Sequence, residues 1–167
     1  MSEPAAASGT GTDFPPASIE AFLRFCEGEW MSLRSRFVLG SDADAGEGDE
    51  WHSSERGELV VRYLEGSPGG LSVGPKDQAA RDLLFEADGS FRVGEHQGTW
   101  ILWPDGSLEL VSEQNGAALR ERIWFNKPNL RLRSTIEQPS DGLPGRASFS
   151  SEIRRVSKPA STSPATA

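Results

Sequence analysis

From Trp30 to about Val156 this sequence never sustains a helical apolar period; short alternating runs are cut again and again by turn residues. The breaks are Asp88-Gly89, Pro104-Asp105-Gly106, Asn115-Gly116, Lys127-Pro128-Asn129 and Asp141-Gly142. Such groups supply the backbone angles that tight antiparallel connections need. The candidate strands between them are 30–39, 57–64, 81–86, 90–94, 98–103, 107–113, 118–125, 130–137 and 146–156. Nine short strands in one domain of this length predict an all-β chain, a closed antiparallel barrel or a sandwich. Closure would remove the exposed strand edges. The stretch SPGGLSVGPK, residues 67–76, has no phosphate-loop lysine arrangement and no clear flanking strand and helix, and it reads as a loop.

One helix precedes the strands. Ser18 is its predicted N-cap, Glu20 sits in its first turn, and Ile19, Phe22, Leu23 and Cys26 recur at helical spacing before Gly28 ends it. Cys26 falls on that apolar stripe and reads as core, and a lone cysteine forms no internal disulfide. Residues 1–16 and 157–167 are small, polar and proline-containing and are expected to be disordered, leaving 17–156 as the folded domain. Residues 41–51 read as an acidic loop.

The net charge of −8 argues against nucleic acid and against an anionic membrane as partners. No apolar run reaches membrane-spanning length, and the N-terminus has no secretory pattern, so a cytoplasmic protein is expected. His52 and His96 lie far apart without ligand spacing, so no metal site is expected.

The segment RERIWFNKPNLRLRST, residues 120–135, carries the densest charge among the strands. If Phe125 faced Leu130, Arg122 would oppose Arg133, an unfavourable pair of like charges. A shift by one, with Asn126 facing Leu130, sets Phe125 against Arg131, Ile123 against Arg133 and Glu121 against Thr135. Glu121, Ile123, Phe125, Arg131, Arg133 and Thr135 then share one face, and Asn129 tolerates the positive φ a tight loop can need. Two arginines beside one glutamate leave a positive surplus there. Facing outward the charges are solvated; facing inward they need an acidic ligand, for which the planar guanidinium fork is suited.

Several of these stretches resemble one family. Gly28-Glu29-Trp30 looks like the start of lipocalin-type barrels, in which a tryptophan plugs the closed end. Glu121-Arg-Ile-Trp-Phe-x-x-Pro-Asn-Leu-Arg-Leu-Arg133, followed by Ala147-Ser-Phe-Ser-Ser-Glu-Ile-Arg154, closely resembles the CpcS/CpeS family of phycobiliprotein lyases. Trp30-x-Ser32-x-Arg34 and Glu58-Leu-Val-Val-Arg-Tyr-Leu64 resemble further strands of it, so the likeness spans about Phe22 to Arg154. It implies a lipocalin-like antiparallel β-barrel with a short N-terminal helix. It also implies an enzyme, a bilin chromophore lyase that joins an open-chain tetrapyrrole by a thioether to a cysteine of a phycobiliprotein α or β subunit.

By the same resemblance Arg131 and Arg133 hold the ligand, Glu121 is the catalytic acid facing the pyrrole nitrogens, Thr135 is a polar cavity residue and Arg34 the first-strand arginine. Where the family commonly carries two tryptophans six residues apart, this chain has Phe85 and Phe91, which can pack on a planar tetrapyrrole or serve as ordinary core. No permanent cofactor is implied; the bilin, phycocyanobilin or phycoerythrobilin, is a bound substrate. A homodimer stays open, as do two other readings: a bilin carrier without transfer activity, and a lipocalin-like carrier of another carboxylated apolar ligand.

Overall fold

A computed structural model describes residues 13–38 and 52–156. Helix α1 spans Ile19–Cys26. Ten strands follow: β1 Gly28–Val38, β2 His52–Leu64, β3 Pro68–Pro75, β4 Arg81–Glu86, β5 Ser90–Val93, β6 His96–Leu102, β7 Leu108–Gln114, β8 Ala117–Lys127, β9 Leu130–Pro139 and β10 Arg146–Arg154. Each pairs antiparallel with the next in sequence, and β1 also pairs with β10, so the sheet closes into a barrel without a free edge. No described helix is long and apolar enough to cross a membrane.

The strand count corrects the sequence reading at one point. Residues 68–75 form β3 rather than a loop, paired with β2 and β4. Its glycines stand where neighbours come too close for a side chain. A Cβ on Gly69, which has φ +113°, would lie 2.4 Å from the Tyr63 hydroxyl, and one on Gly70 would lie 2.5 Å from the Leu83 carbonyl. Just after them Leu71 turns into the core.

The segment before the helix is also ordered sooner than expected. Phe14 packs on Phe25 with ring centroids 5.8 Å apart, and Pro16 is fully buried. The acidic loop read at 41–51 and the segments 1–12 and 157–167 lie outside the described residues.

The helix closes one end of the barrel. Ser18 caps it, its Oγ accepting from the Ala21 amide at 3.1 Å. Phe22, Leu23 and Cys26 are fully buried, and Phe125 meets the rings of Phe22 and Phe25 edge-on at 5.2 and 4.8 Å. Trp30 is the plug that the resemblance implied: it is fully buried, and its indole N–H donates to the Cys26 carbonyl at 2.9 Å.

Arg154, paired with Trp30 in register, lays its guanidinium 4.5 Å from that ring. It also donates to the carbonyls of Phe25 and Glu27, groups left open at the helix C-terminus. One side chain thus ties the helix, the plug and the closing strand together. Arg154→Ala should cost about 2–3 kcal/mol, from two charged hydrogen bonds and a cation–π contact. Urea unfolding measures it. A change under about 0.5 kcal/mol, the size of an ordinary surface substitution, would mean that the helix docks without this clamp.

Candidate functional site

The hairpin β8–β9 takes the register that avoids opposed arginines. Phe125 pairs with Arg131, Ile123 with Arg133 and Glu121 with Thr135. The connection differs in detail from the expectation: Lys127, not Asn126, pairs with Leu130, and Asn126 is the extra residue of a bulge. Asn129 is not among the residues with positive φ. The shared face points inward, with Ile123, Phe125 and Arg131 all buried.

Four neighbouring strands therefore direct charge into the barrel, in layers. Nearest the plug, Ser32, Glu152, Arg131 and Phe125 stand in line across β1, β10, β9 and β8. The next layer is Arg34, Ser150, Arg133 and Ile123. Beyond it come Arg36, Ser148, Thr135 and Glu121.

Charged side chains link these layers into a ladder. Arg131, only 1% exposed, stacks 4.7 Å from the Trp30 ring and donates from Nε to Glu152 Oε2 at 2.5 Å. The other Glu152 oxygen lies 3.3 Å from Arg133 Nη2, and Arg133 Nη1 lies 2.9 Å from Glu121 Oε1. Burial would raise the Glu152 pKa, but the guanidiniums of Arg133 and Arg131 outweigh it and hold the carboxyl below its usual range. For Arg133, burial is likewise overcome, by Glu121 and Glu152, which raise its pKa.

Glu152 is the functional residue that sequence reasoning missed. With it the ladder holds two arginines and two glutamates, so the positive surplus expected from Arg131 and Arg133 does not exist. The surplus comes from Arg34, which forms no ion pair among the described residues and whose pKa is lowered by burial and by the nearby charges of Arg36 and Arg133. Three buried donors stay without partners among the described residues: Arg131 Nη2 and Arg133 Nε in the ladder, and Arg154 Nε beside the plug.

The ladder borders a cavity of about 710 Å³ bounded by β1–β4, β9 and β10. Arg34, Arg133, Ser150 and Glu152 form one wall; Arg36, Arg56, Lys76 and Arg81 face Glu55, Glu58 and Asp77 around the rest, and Leu59 and Val73 give an apolar side. Arg34 and Arg36 also line an adjoining hollow of about 320 Å³, which contains Thr135. Glu121 and Phe91 share a small space of about 40 Å³ with Arg81.

The predicted site residues thus divide. Arg34, Arg133 and Thr135 reach the two larger spaces, and Glu121 is joined to them through Arg133. Arg131 lines neither; it lies beneath the cavity as support for Glu152. Phe85 and Phe91 pair in register and stack on each other at 5.7 Å and 22°, each 4% exposed. Phe91 is pressed on Gly98, where a Cβ would lie 2.5 Å from the ring. Phe85 is therefore core, while Phe91 also touches an interior space, the small one beside Glu121.

Comparison with known proteins follows the same residues. The family model described as CpeS-like protein matches residues 75–155, from the end of β3 through the whole ladder of β8–β10. Chromophore lyase CpcS/CpeS 1 of Paulinella chromatophora is 46% identical over 152 residues, covering 88% of this chain and 94% of the relative. Chromophore lyase CpcS/CpeS 2 of Synechococcus sp. (strain JA-3-3Ab) is 34% identical over 149 residues, covering 88% of this chain and 72% of that protein. The solved S-type phycobiliprotein lyase CPES from Guillardia theta shares the fold, with a TM-score of 0.65 at 22% identity over 84% of this chain and 94% of that one. The chain belongs to the CpcS/CpeS family of chromophore lyases.

Proposed function

We propose that the protein takes a bilin into the cavity beside the arginine ladder and attaches it through a thioether to a cysteine of a phycobiliprotein subunit. The observation that carries this reading is a buried, unpartnered guanidinium donor, Arg133 Nε, beside a large cavity with a cation surplus. Such donors are costly unless something accepts from them, and an acidic ligand does. The two propionates of a bilin are suited to Arg133 and Arg34. Thr135 is a polar contact in the adjoining hollow, Phe91 is an apolar wall, and Arg131 is a positioning residue acting through Glu152.

The chemistry asks for orientation more than for covalent catalysis. The acceptor thiolate adds to the exocyclic ethylidene carbon of ring A; the C–S bond forms as the C=C π bond breaks, and a proton ends on the neighbouring ring carbon. Glu121, held 2.9 Å from Arg133, is the carboxyl group placed to stabilise a protonated bilin or to pass that proton. The nucleophile belongs to the acceptor. Cys26 is fully buried, and burial pushes its thiol pKa up against the pull of Arg131, so it stays a core residue.

An absorbance titration with phycocyanobilin and phycoerythrobilin tests the pocket. A saturable red-shifted spectrum is expected, and Arg133→Ala should weaken binding by about 1.5–3 kcal/mol, the worth of a charged hydrogen bond. Unchanged affinity in Arg133→Ala would remove the ligand from this wall.

Transfer to an acceptor subunit separates a lyase from a carrier. Glu121→Gln should keep bilin affinity within about threefold yet slow attachment about 100-fold, the usual scale of general acid–base assistance. Equal transfer rates would take Glu121 out of the chemistry.

The ladder also fixes an acid response. Because the folded pKa of Glu152 is depressed, its stabilisation is complete above the ordinary carboxylate range and is lost as pH falls from about 4.5 through the lower folded value. Glu152→Gln should cost about 3–5 kcal/mol near neutral pH, as breaking a buried pair does. It should also flatten the fall of stability with acid. Circular dichroism at stepped pH reads both, and an acid slope identical to wild type would contradict the assignment.

A further inference from the structure

Among the described glycines, one is not required by the backbone. Each of the others either has a positive φ or would place a Cβ 3.2 Å or closer to a neighbour. Gly57, inside β2, has neither feature: a Cβ there would meet nothing within 4 Å. Glycine within a strand weakens it, through backbone entropy and through the side chain it lacks. The fold alone would therefore favour another residue at this position.

Register settles where the missing side chain would point. Strands β1 and β2 pair Trp30 with Leu59, Ser32 with Gly57 and Arg34 with Glu55. Directly opposed residues share a face, so Gly57 belongs to the inward set, in line with Ser32, Glu152, Arg131 and Phe125. It carries the layer just above the tryptophan plug across to β2. Gly57 and Ser32, side by side, leave that layer almost without side-chain volume, and both line the 710 Å³ cavity.

The barrel wall also opens beside Gly57. Strand β3 pairs with β2 only from Leu59 onward, and the next link is the Lys76 amide donating to the Glu58 carbonyl at 2.9 Å. Past that point the cavity runs between residues 55–59 of β2 and residues 75–79 at the end of β3 and in the connection to β4. Strand and connection bound a slot with the glycine at its base.

We propose that Gly57 is a specificity-determining residue, whose bare backbone gives a flat pyrrole ring of the bilin a place to lie at the base of this slot. The inference rests on the bilin reading above. Arg34 and Arg133, the residues suited to the propionates, stand in the layer immediately above. A tetrapyrrole anchored there has a ring to place below, and a ring resting on backbone sits about 3.5–4 Å from it. A Cβ at position 57 would lift that ring, and a branched side chain would take its place. Arg133, held between Glu152 and Glu121, could not follow the displaced carboxylate.

Gly57→Ala and Gly57→Val, each followed by urea unfolding and by absorbance titration with phycocyanobilin and phycoerythrobilin, test the assignment. Both variants should unfold at a urea midpoint equal to or above that of the wild type, since the added side chain meets open space and the unfolded chain loses freedom. Bilin affinity should fall about tenfold in Gly57→Ala and about 100-fold or more in Gly57→Val, the scale on which a shaped pocket discriminates one or a few carbons. A wild type that binds bilin no more tightly than folded Gly57→Val would overturn the inference and leave the bilin reading standing. A wild type with no saturable spectral change for either bilin would overturn both. A lowered urea midpoint in Gly57→Ala, or failure of both variants to fold, would make the glycine a requirement of the fold and overturn the inference alone.

Discussion

The contact between Arg131 and Glu152 sets the rest of this barrel. Both side chains are 1% exposed, with Nε and Oε2 at 2.5 Å, at the level just above the tryptophan plug. Taking two charges out of water there is expensive, and apolar residues of similar volume would often be as stable or more so. Their presence commits the phase of two neighbouring strands: with Arg131 and Glu152 inside, Arg133 and Ser150 must also be inside, and β1 follows with Arg34. The interior of this wall becomes polar and its exterior apolar. One buried pair thus accounts for a charged cavity inside and for an apolar face outside.

How far this was legible in the sequence depended on whether local chemistry determined register. The β8–β9 pairing could be read because one alternative opposed Arg122 to Arg133 and a short connection left few others. The β9–β10 pairing could not: residues 140–145 form a longer connection without a turn type that fixes register, so Glu152 had no assignable partner even though it shares the alternation of Ser150 and Ser148. Strand β3 was hidden for a different reason. Its glycines and prolines resemble a loop, and only the close approach of Tyr63 and the Leu83 carbonyl, both set by tertiary packing, makes glycine necessary there. The phenylalanine pair was ambiguous in sequence because aromatic residues on an inward phase serve core and ligand alike; the register pairing of Phe85 with Phe91 resolves it mainly toward core.

Exposure grades along the ladder, and the gradient separates support from function. Arg131 and Glu152 are closed off, whereas the side chains of Arg133 and Glu121 keep 15% and 18% exposure. The closed end is pinned: Arg131 stacks on Trp30, whose indole is bonded to the helix, and Arg154 fastens that helix to β10. Arg133, held between Glu152 and Glu121, presents its guanidinium to the cavity in an orientation settled before any ligand arrives. A lone surface arginine would lose rotamer freedom on meeting a carboxylate; here that ordering is already complete, so more of the contact energy is available for binding. The same pinning holds Glu121, 18% exposed, in a fixed place beside Arg133; under the function proposed, that is the condition in which proton transfer gains from position.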